Sequence, residues 1–208
     1  MSCPVAMATA RGYLHDMLAV VFRRPLDATR LESFRNAEML AAMAAAGINL
    51  GKEFAADADC GLLDRLAVDY TQLFHGPGEH IAPYESIQLG AGDELMGPGA
   101  GAVRRFMAEH GFSVAAESGE MPDHISVELA FMGELARREA RARVAGDRET
   151  LDLVTDLQRR FLDEHLGRWV GRLARKIRRE AQTPFYREMA KLLDDFVADE
   201  QQAAITAA

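Results

Sequence analysis

Apolar side chains recur along this chain at three- and four-residue steps, the repeat of a helix that buries one face. Tyr13, Leu14, Met17, Leu18, Val20, Val21 and Phe22 set the pattern, and Pro25 stops it, because proline lacks the N–H a helix needs and clashes one turn back. Asp27 is suited to cap a second helix through Leu31, Phe34, Leu40 and Met43, ended by Gly47. A third is expected from about Asp59 through Leu62, Leu63, Leu66, Tyr70 and Leu73. A short one follows at Val103, Phe106 and Met107, closed by Gly111. Pro122 fits the first position of the next, which carries Ile125, Leu129, Met132 and Ala136 and runs to Gly146. Asp147 caps a helix holding Leu151, Val154, Leu157, Phe161 and Leu162. Trp169, Val170, Leu173 and Ile177 form another, or a bent continuation past Gly167. Thr183 and Pro184 open the last, with Phe185, Met189, Leu192, Leu193 and Phe196 as its stripe. No alternating run bounded by turns stands as a strand, and no repeat has a fixed period. The expected class is all-α, a single bundle-like domain of about eight or nine helices.

The pattern lapses in two places. Between Phe112 and Met121 it gives way to a connection, so we expect a hinge near 112–122 separating an N-terminal half (about 1–111) from a C-terminal half (123–208). The other lapse is Phe74 to Ser86, where Gly76, Pro77, Gly78 and Pro83 exclude a regular helix while Phe74, Ile81 and Tyr84 seek burial. That combination describes either a packed connector or a binding lip.

Length and charge narrow the chemistry. The 208 residues suffice for a core without metal or disulfide, and two cysteines, Cys3 and Cys60, make no framework. A net charge of −8, from 24 basic and 32 acidic residues, opposes nucleic acid and anionic membranes and favours a cationic ligand. Arg23 and Arg24 follow the apolar stretch instead of preceding it, so no export signal is read there. No window is long enough to span a bilayer. A cytoplasmic protein without stable membrane insertion is expected.

Two glycine-rich stretches fail as phosphate loops. Gly47 to Glu53 has the wrong glycine spacing and Glu53 where a hydroxyl should stand, and Gly90-Ala91-Gly92 continues to Leu95 where a fingerprint needs glycine. The basic run Arg172, Arg175, Lys176, Arg178, Arg179 reads as a solvated helix face. Asp123, His124 and Glu128 are the sharpest polar cluster: His124 and Glu128 share a helix face, and Asp123 suits the helix N-terminus as a cap. With His75, His80 and Glu85 from the preceding loop, this cluster is also the site an all-helical metal-dependent hydrolase would need, although the histidine–aspartate doublet of such enzymes is reversed here. His110 and His165 are read as dipole partners or core-edge residues.

Four segments in one order resemble a known family. Tyr70, Leu73, Phe74, Gly76, Pro77 and Gly78, then Pro83, Tyr84, Glu85 and Ser86, then Glu120, Pro122, Asp123, His124, Ile125, Glu128 and Leu129, and finally Phe161, Leu162, His165, Leu166, Trp169, Pro184, Phe185 and Tyr186 are similar to the TorD/DmsD/NarJ chaperones. The resemblance covers Tyr70 to about Phe196, and more weakly Tyr13 to Pro25. It implies an all-helical, non-enzymatic cytoplasmic chaperone with no cofactor or metal of its own. Such a chaperone binds the twin-arginine leader, and often the apo form, of a molybdenum-containing reductase of the dimethyl sulfoxide, trimethylamine N-oxide or nitrate type. Its action assists cofactor insertion and delays export. Carried over by position, the leader-binding residues are Tyr70, Gly76, Pro77, Tyr84, Ser86, Pro122, Asp123 and His124. Side-chain chemistry adds Phe74 as apolar wall and Glu85 and Glu128 as carboxylates for guanidinium forks. Tyr70, Gly78 and Tyr84 stand where some members have tryptophan. The family implies a monomer or a domain-swapped homodimer, with exchange at Phe112–Met121.

Overall fold

A computed structural model describes residues 3–55, 61–76, 80–90, 98–113 and 119–206. Among them are eleven α-helices: α1 (Pro4–Arg23), α2 (Ala28–Arg35), α3 (Ala37–Ala45), α4 (Lys52–Ala55), α5 (Leu62–Phe74), α6 (Glu85–Leu89), α7 (Pro98–Glu109), α8 (Ile125–Ala145), α9 (Arg148–Glu164), α10 (Val170–Glu180) and α11 (Pro184–Thr206), with a 3-10 turn at Leu166–Arg168. The class is all-α, as the periodicity predicts.

The count exceeds the expected eight or nine for local reasons. The single helix expected from Asp27 to Gly47 is two. Asp27 does cap the first, accepting from Arg30 N, but Asn36 leaves helical geometry and caps the second by accepting from Glu38 N. A side chain that bonds its own backbone competes with helix continuation. Past α9 the chain likewise does not continue through Gly167. A Cβ there would collide with the Gln201 side chain and come within 2.6 Å of the Leu162 carbonyl oxygen, so the tight 3-10 turn requires glycine. The short helices α4 and α6 have no periodic stripe to announce them. Tyr13, placed in the first stripe by spacing, is instead 72% exposed.

Helix α8 is the axis of the molecule, packed on α1, α9 and the 3-10 turn. Its crossing with α1 is close because two glycines meet: a Cβ on Gly133 would lie 2.6 Å from Asp16 Oδ1 and 3.4 Å from the Gly12 carbonyl oxygen. Aromatic residues fill the core on either side. Phe106, Phe131 and Phe161 pack edge-on or tilted on one another, with His165 against Phe106 and Phe161, while Phe185 stacks on Phe54 and meets Phe34 and Tyr186 edge-on. Each such ring contributes a few kcal/mol by leaving water, of order ~2–3.

A polar knot crosses this core. Arg11 of α1 donates to Glu139 of α8 at 2.9 Å, and also to Glu200 of α11 and Gln158 of α9. His15 Nε2 lies 2.7 Å from Glu200. Four helices are thereby fixed around one guanidinium. The N-terminal helix is thus packed against helices from the far end of the chain.

Candidate functional site

The loop after α5 does not hang free. Ile81 N donates to the Leu73 carbonyl at 2.7 Å, turning the chain back on α5. It then runs antiparallel to the residues preceding α8, with a β-bridge pairing Tyr84 and His124. Glu85 N donates to the Asp123 carbonyl at 2.9 Å, and Ile125 N to the Pro83 carbonyl at 2.9 Å. Two sequence segments some forty residues apart therefore form one junction.

Side chains lock the junction from both strands. Asp123 Oδ2 accepts from Ser86 N at 3.1 Å and from Ser86 Oγ at 2.6 Å. The expected role of Asp123 as cap of α8 is corrected: the N-cap is His124, whose Nδ1 accepts from Ser126 N at 3.1 Å and from Ser126 Oγ at 2.8 Å. Pro122 correspondingly lies in the turn before the helix and not at its first position. The acceptor duty leaves the His124 proton on Nε2. Burial, with the charges of Arg23 and His75 adding to it, holds this imidazole down at about 4. Tyr84 meets His124 edge-on at 5.1 Å.

Beneath lies an acidic pocket of side chains. Glu128 is completely buried, and its Oε2 accepts from Trp169 Nε1 at 3.1 Å. Burial first, then the neighbouring charge of Glu85, raises its carboxyl well above the ordinary range, which favours the protonated form. Glu85 in turn sits 3.2 Å from His165 Nδ1 through both oxygens. Reading His165 as a dipole partner or core-edge residue missed this role. The far end of the loop is tied by Gln88, whose carbonyl accepts from Arg172 and whose Oε1 accepts from Lys176 Nζ at 2.9 Å.

The eleven expected site residues divide by depth. Tyr70, Phe74, Glu85, Asp123, His124 and Glu128 are buried. Gly76, Tyr84, Ser86 and Pro122 are half-buried and form the accessible lip, with His75 and His80 exposed beside them. Pro77 lies outside the described residues, as do the glycine-rich stretch 91–97 and residues 114–118 of the connection. Tyr70 donates to the Phe22 carbonyl at 3.2 Å and packs on Phe74, so it anchors α5 under the loop. Burial, and next the nearby charge of Glu120, push the Tyr70 and Tyr84 phenols up. A Cβ on Gly76 would press to 3.2 Å from the Gln72 carbonyl oxygen, which explains glycine where the chain leaves α5.

Two polar atoms in this junction, Asp123 Oδ1 and Glu128 Oε1, are buried with no hydrogen-bond partner. Among the described residues no group of three or more His, Cys, Asp or Glu side chains could hold a metal ion. Asp69 is a residue that spacing did not single out. It accepts from Gln182 N at 3.0 Å, from Thr183 N at 2.7 Å and from the Thr183 hydroxyl, so a carboxylate from α5 anchors the two residues that lead into α11. The signal for such partners is a polar residue inside an apolar stripe, which must find a bond somewhere.

The architecture is that of the redox-enzyme maturation chaperones. A crystal structure described as that of a redox enzyme maturation protein from Archaeoglobus fulgidus superposes with a TM-score of 0.56 over 90% of this chain and 93% of that one, at 20% identity, a likeness of fold. The profile of the nitrate reductase delta subunit family matches residues 36–175, and the chain belongs to that family, which includes the TorD/NarJ chaperones. Among curated relatives, the chaperone protein TorD of Shewanella loihica is 28% identical over 204 residues, 91% of this chain and 90% of its own. TorD of Vibrio parahaemolyticus is 25% identical over 89% of this chain and 90% of its own. TorD of Photobacterium profundum reaches 31% over 63% and 60%. No helix among the described residues is long and apolar enough to cross a membrane.

Proposed function

We propose that this chain is a cytoplasmic, non-enzymatic chaperone that binds the twin-arginine leader of a molybdenum-containing oxidoreductase, and its apo form, at the loop junction. Family membership supports a redox-enzyme client. The observation that carries the leader reading is the junction itself, in which a buried carboxylate, Asp123, keeps one oxygen unpartnered beneath the half-buried Tyr84, Ser86 and Pro122. A guanidinium is the donor that satisfies such an oxygen with a fork of N–H groups. The apolar run behind the two arginines then has the Tyr84 ring and Pro122 to lie against.

Within this reading the buried residues support and the lip touches. Glu85, Glu128 and His124 hold the junction's shape, and Tyr70 and Phe74 hold α5 under it. Glu128, wholly enclosed and with its protonated form favoured, is less suited to meet an arginine than Asp123. A metal-dependent hydrolase built on Asp123, His124 and Glu128 is disfavoured, since Asp123 is engaged by Ser86, His124 Nδ1 by Ser126, and Glu128 by Trp169.

The test is a calorimetric titration with twin-arginine leader peptides, each paired with a version whose two arginines are glutamine. Saturable heat with the parent leader that disappears with the glutamine version is expected. Asp123→Ala should weaken binding by about tenfold, the size of one charge-assisted contact, with helical circular dichroism unchanged. Equal affinity for Asp123→Ala and parent would remove Asp123 from the site.

A further inference from the structure

On the α10–α11 hairpin, away from the residues of the junction lip, five cations and one carboxylate line a recess of about 320 Å³: Arg175, Arg178, Arg179, Arg187, Lys191 and Glu188. Such a concentration runs against the charge of a chain at −8. It also runs against helix energetics. Arg175 stands four residues before Arg179 on α10, as Arg187 does before Lys191 on α11, and like charges at that spacing repel. Across the hairpin, Arg178 is near enough to Lys191 to oppose its positive charge.

Internal partners do not absorb these charges. Arg187 is held in place by the Ala181 and Gln182 carbonyls at 2.8 and 3.2 Å, which fixes its guanidinium at the recess. Arg179 and Lys191 form ion pairs with exposed neighbours on their own helices, Glu180 at 2.7 Å and Asp195 at 2.8 Å, and Glu188 adds a further carboxylate near Lys191; exposed pairs of this kind exchange readily for better ones. Arg175 and Arg178 form no ion pair among the described residues.

We propose that this recess docks an acidic segment of the client polypeptide, separately from the leader. The inference rests on the chaperone reading for the partner being a polypeptide. Arginine forks match carboxylates two bonds at a time. No aromatic side chain lines the recess, so it lacks the aromatic stacking platforms that single-stranded nucleic acids use. On a chain with a net charge of −8, a cationic recess also favours one orientation of approach for an acidic client.

The experiment uses the full chain, a fluorescein-labelled peptide of alternating glutamate and glycine, and its glutamine counterpart, followed by anisotropy at low and high salt. Saturable, salt-sensitive binding of the glutamate peptide alone is expected. It should weaken at least about tenfold in Arg175→Gln/Arg178→Gln, whose exposed positions leave folding intact. Equal binding by parent and variant would overturn the proposal. So would displacement by tripolyphosphate of a probe that the glutamate peptide cannot displace, since the recess would then be a phosphate site. Leader titrations on the same samples report the junction independently: the variant should bind leader as the parent does, and a leader that binds neither counts against the proposed function while the glutamate peptide still decides this one.

Discussion

The polar knot around Arg11 and the acidic pocket beneath the loop junction are both buried, and they are neutralised by opposite means. Between α1, α8, α9 and α11, the Glu139 and Glu200 carboxylates converge on the Arg11 guanidinium. Burial pushes the Glu200 carboxyl up, but His15 and Arg11 outweigh it and hold it below its ordinary range. Charge meets charge, and the knot is closed. Beneath the loop junction, Glu85, Asp123 and Glu128 have no arginine or lysine in hydrogen-bond contact among the described residues. They are accommodated by the raised Glu128 carboxyl, the Trp169 indole, His165 and the Ser86 backbone N–H. In the first cluster every carboxylate oxygen is partnered, and the unpartnered buried atom is the His15 Nδ1 nitrogen. The second keeps acceptors in reserve under an accessible lip, the arrangement expected where a cation is to arrive from outside.

The largest expected effect comes from breaking the closed knot. Arg11→Met strands two buried carboxylates and should cost about 3–5 kcal/mol, a fall in Tm of roughly 10 °C for a domain this size, with leader affinity of the folded protein unchanged. A loss confined to leader binding would reverse the contrast between the clusters. Next is the junction's histidine. Its folded value of about 4 lies below the ordinary 6.5, so its contribution is present above pH 6.5 and is lost as pH falls toward 4. That loss amounts to about 3 kcal/mol. His124→Asn keeps an N-cap that does not titrate, and urea unfolding across this range should show the parent losing stability faster than the variant. Parallel curves would mean that His124 is not buried neutral. The smallest effect is at Glu128, and it has the opposite sign. Its folded value is raised, so its contribution is full below the ordinary 4.5 and is lost as pH rises. Glu128→Gln, an uncharged mimic, should stay within about 1 kcal/mol of the parent near pH 5 and gain on it as pH climbs.

Helical class and most helix positions were legible because one-sided burial writes a period into the sequence. Asp27, Asp147 and Gly146 mark boundaries through their own local bonds, accepted from Arg30 N and Thr150 N or made possible by a left-handed φ of 68°. The break at Asn36 was not read, since it depends on one asparagine rotamer, and the choice at Gly167 between a separate helix and a bent continuation stayed open because it turns on Gln201 arriving from α11. The candidate site was legible as residues and not as depth. Tyr84, Ser86, Asp123 and His124 do come together. That Asp123 bonds Ser86, that His124 takes over the cap, and that His165 and Trp169 close the floor are facts of long-range packing, which spacing along the chain does not encode.

The close crossing of α1 and α8 through Gly12 and Gly133 also bears on the order in which the protein can be made. Helix α1 leaves the ribosome first, with Leu18, Val21 and Phe22 ready for burial, but the first turn of α8 follows about 100 residues later, and at ~5–20 residues per second that is a delay of some 5–20 s. During that interval the chaperone is itself a nascent chain whose α1 lacks the helix it crosses most closely.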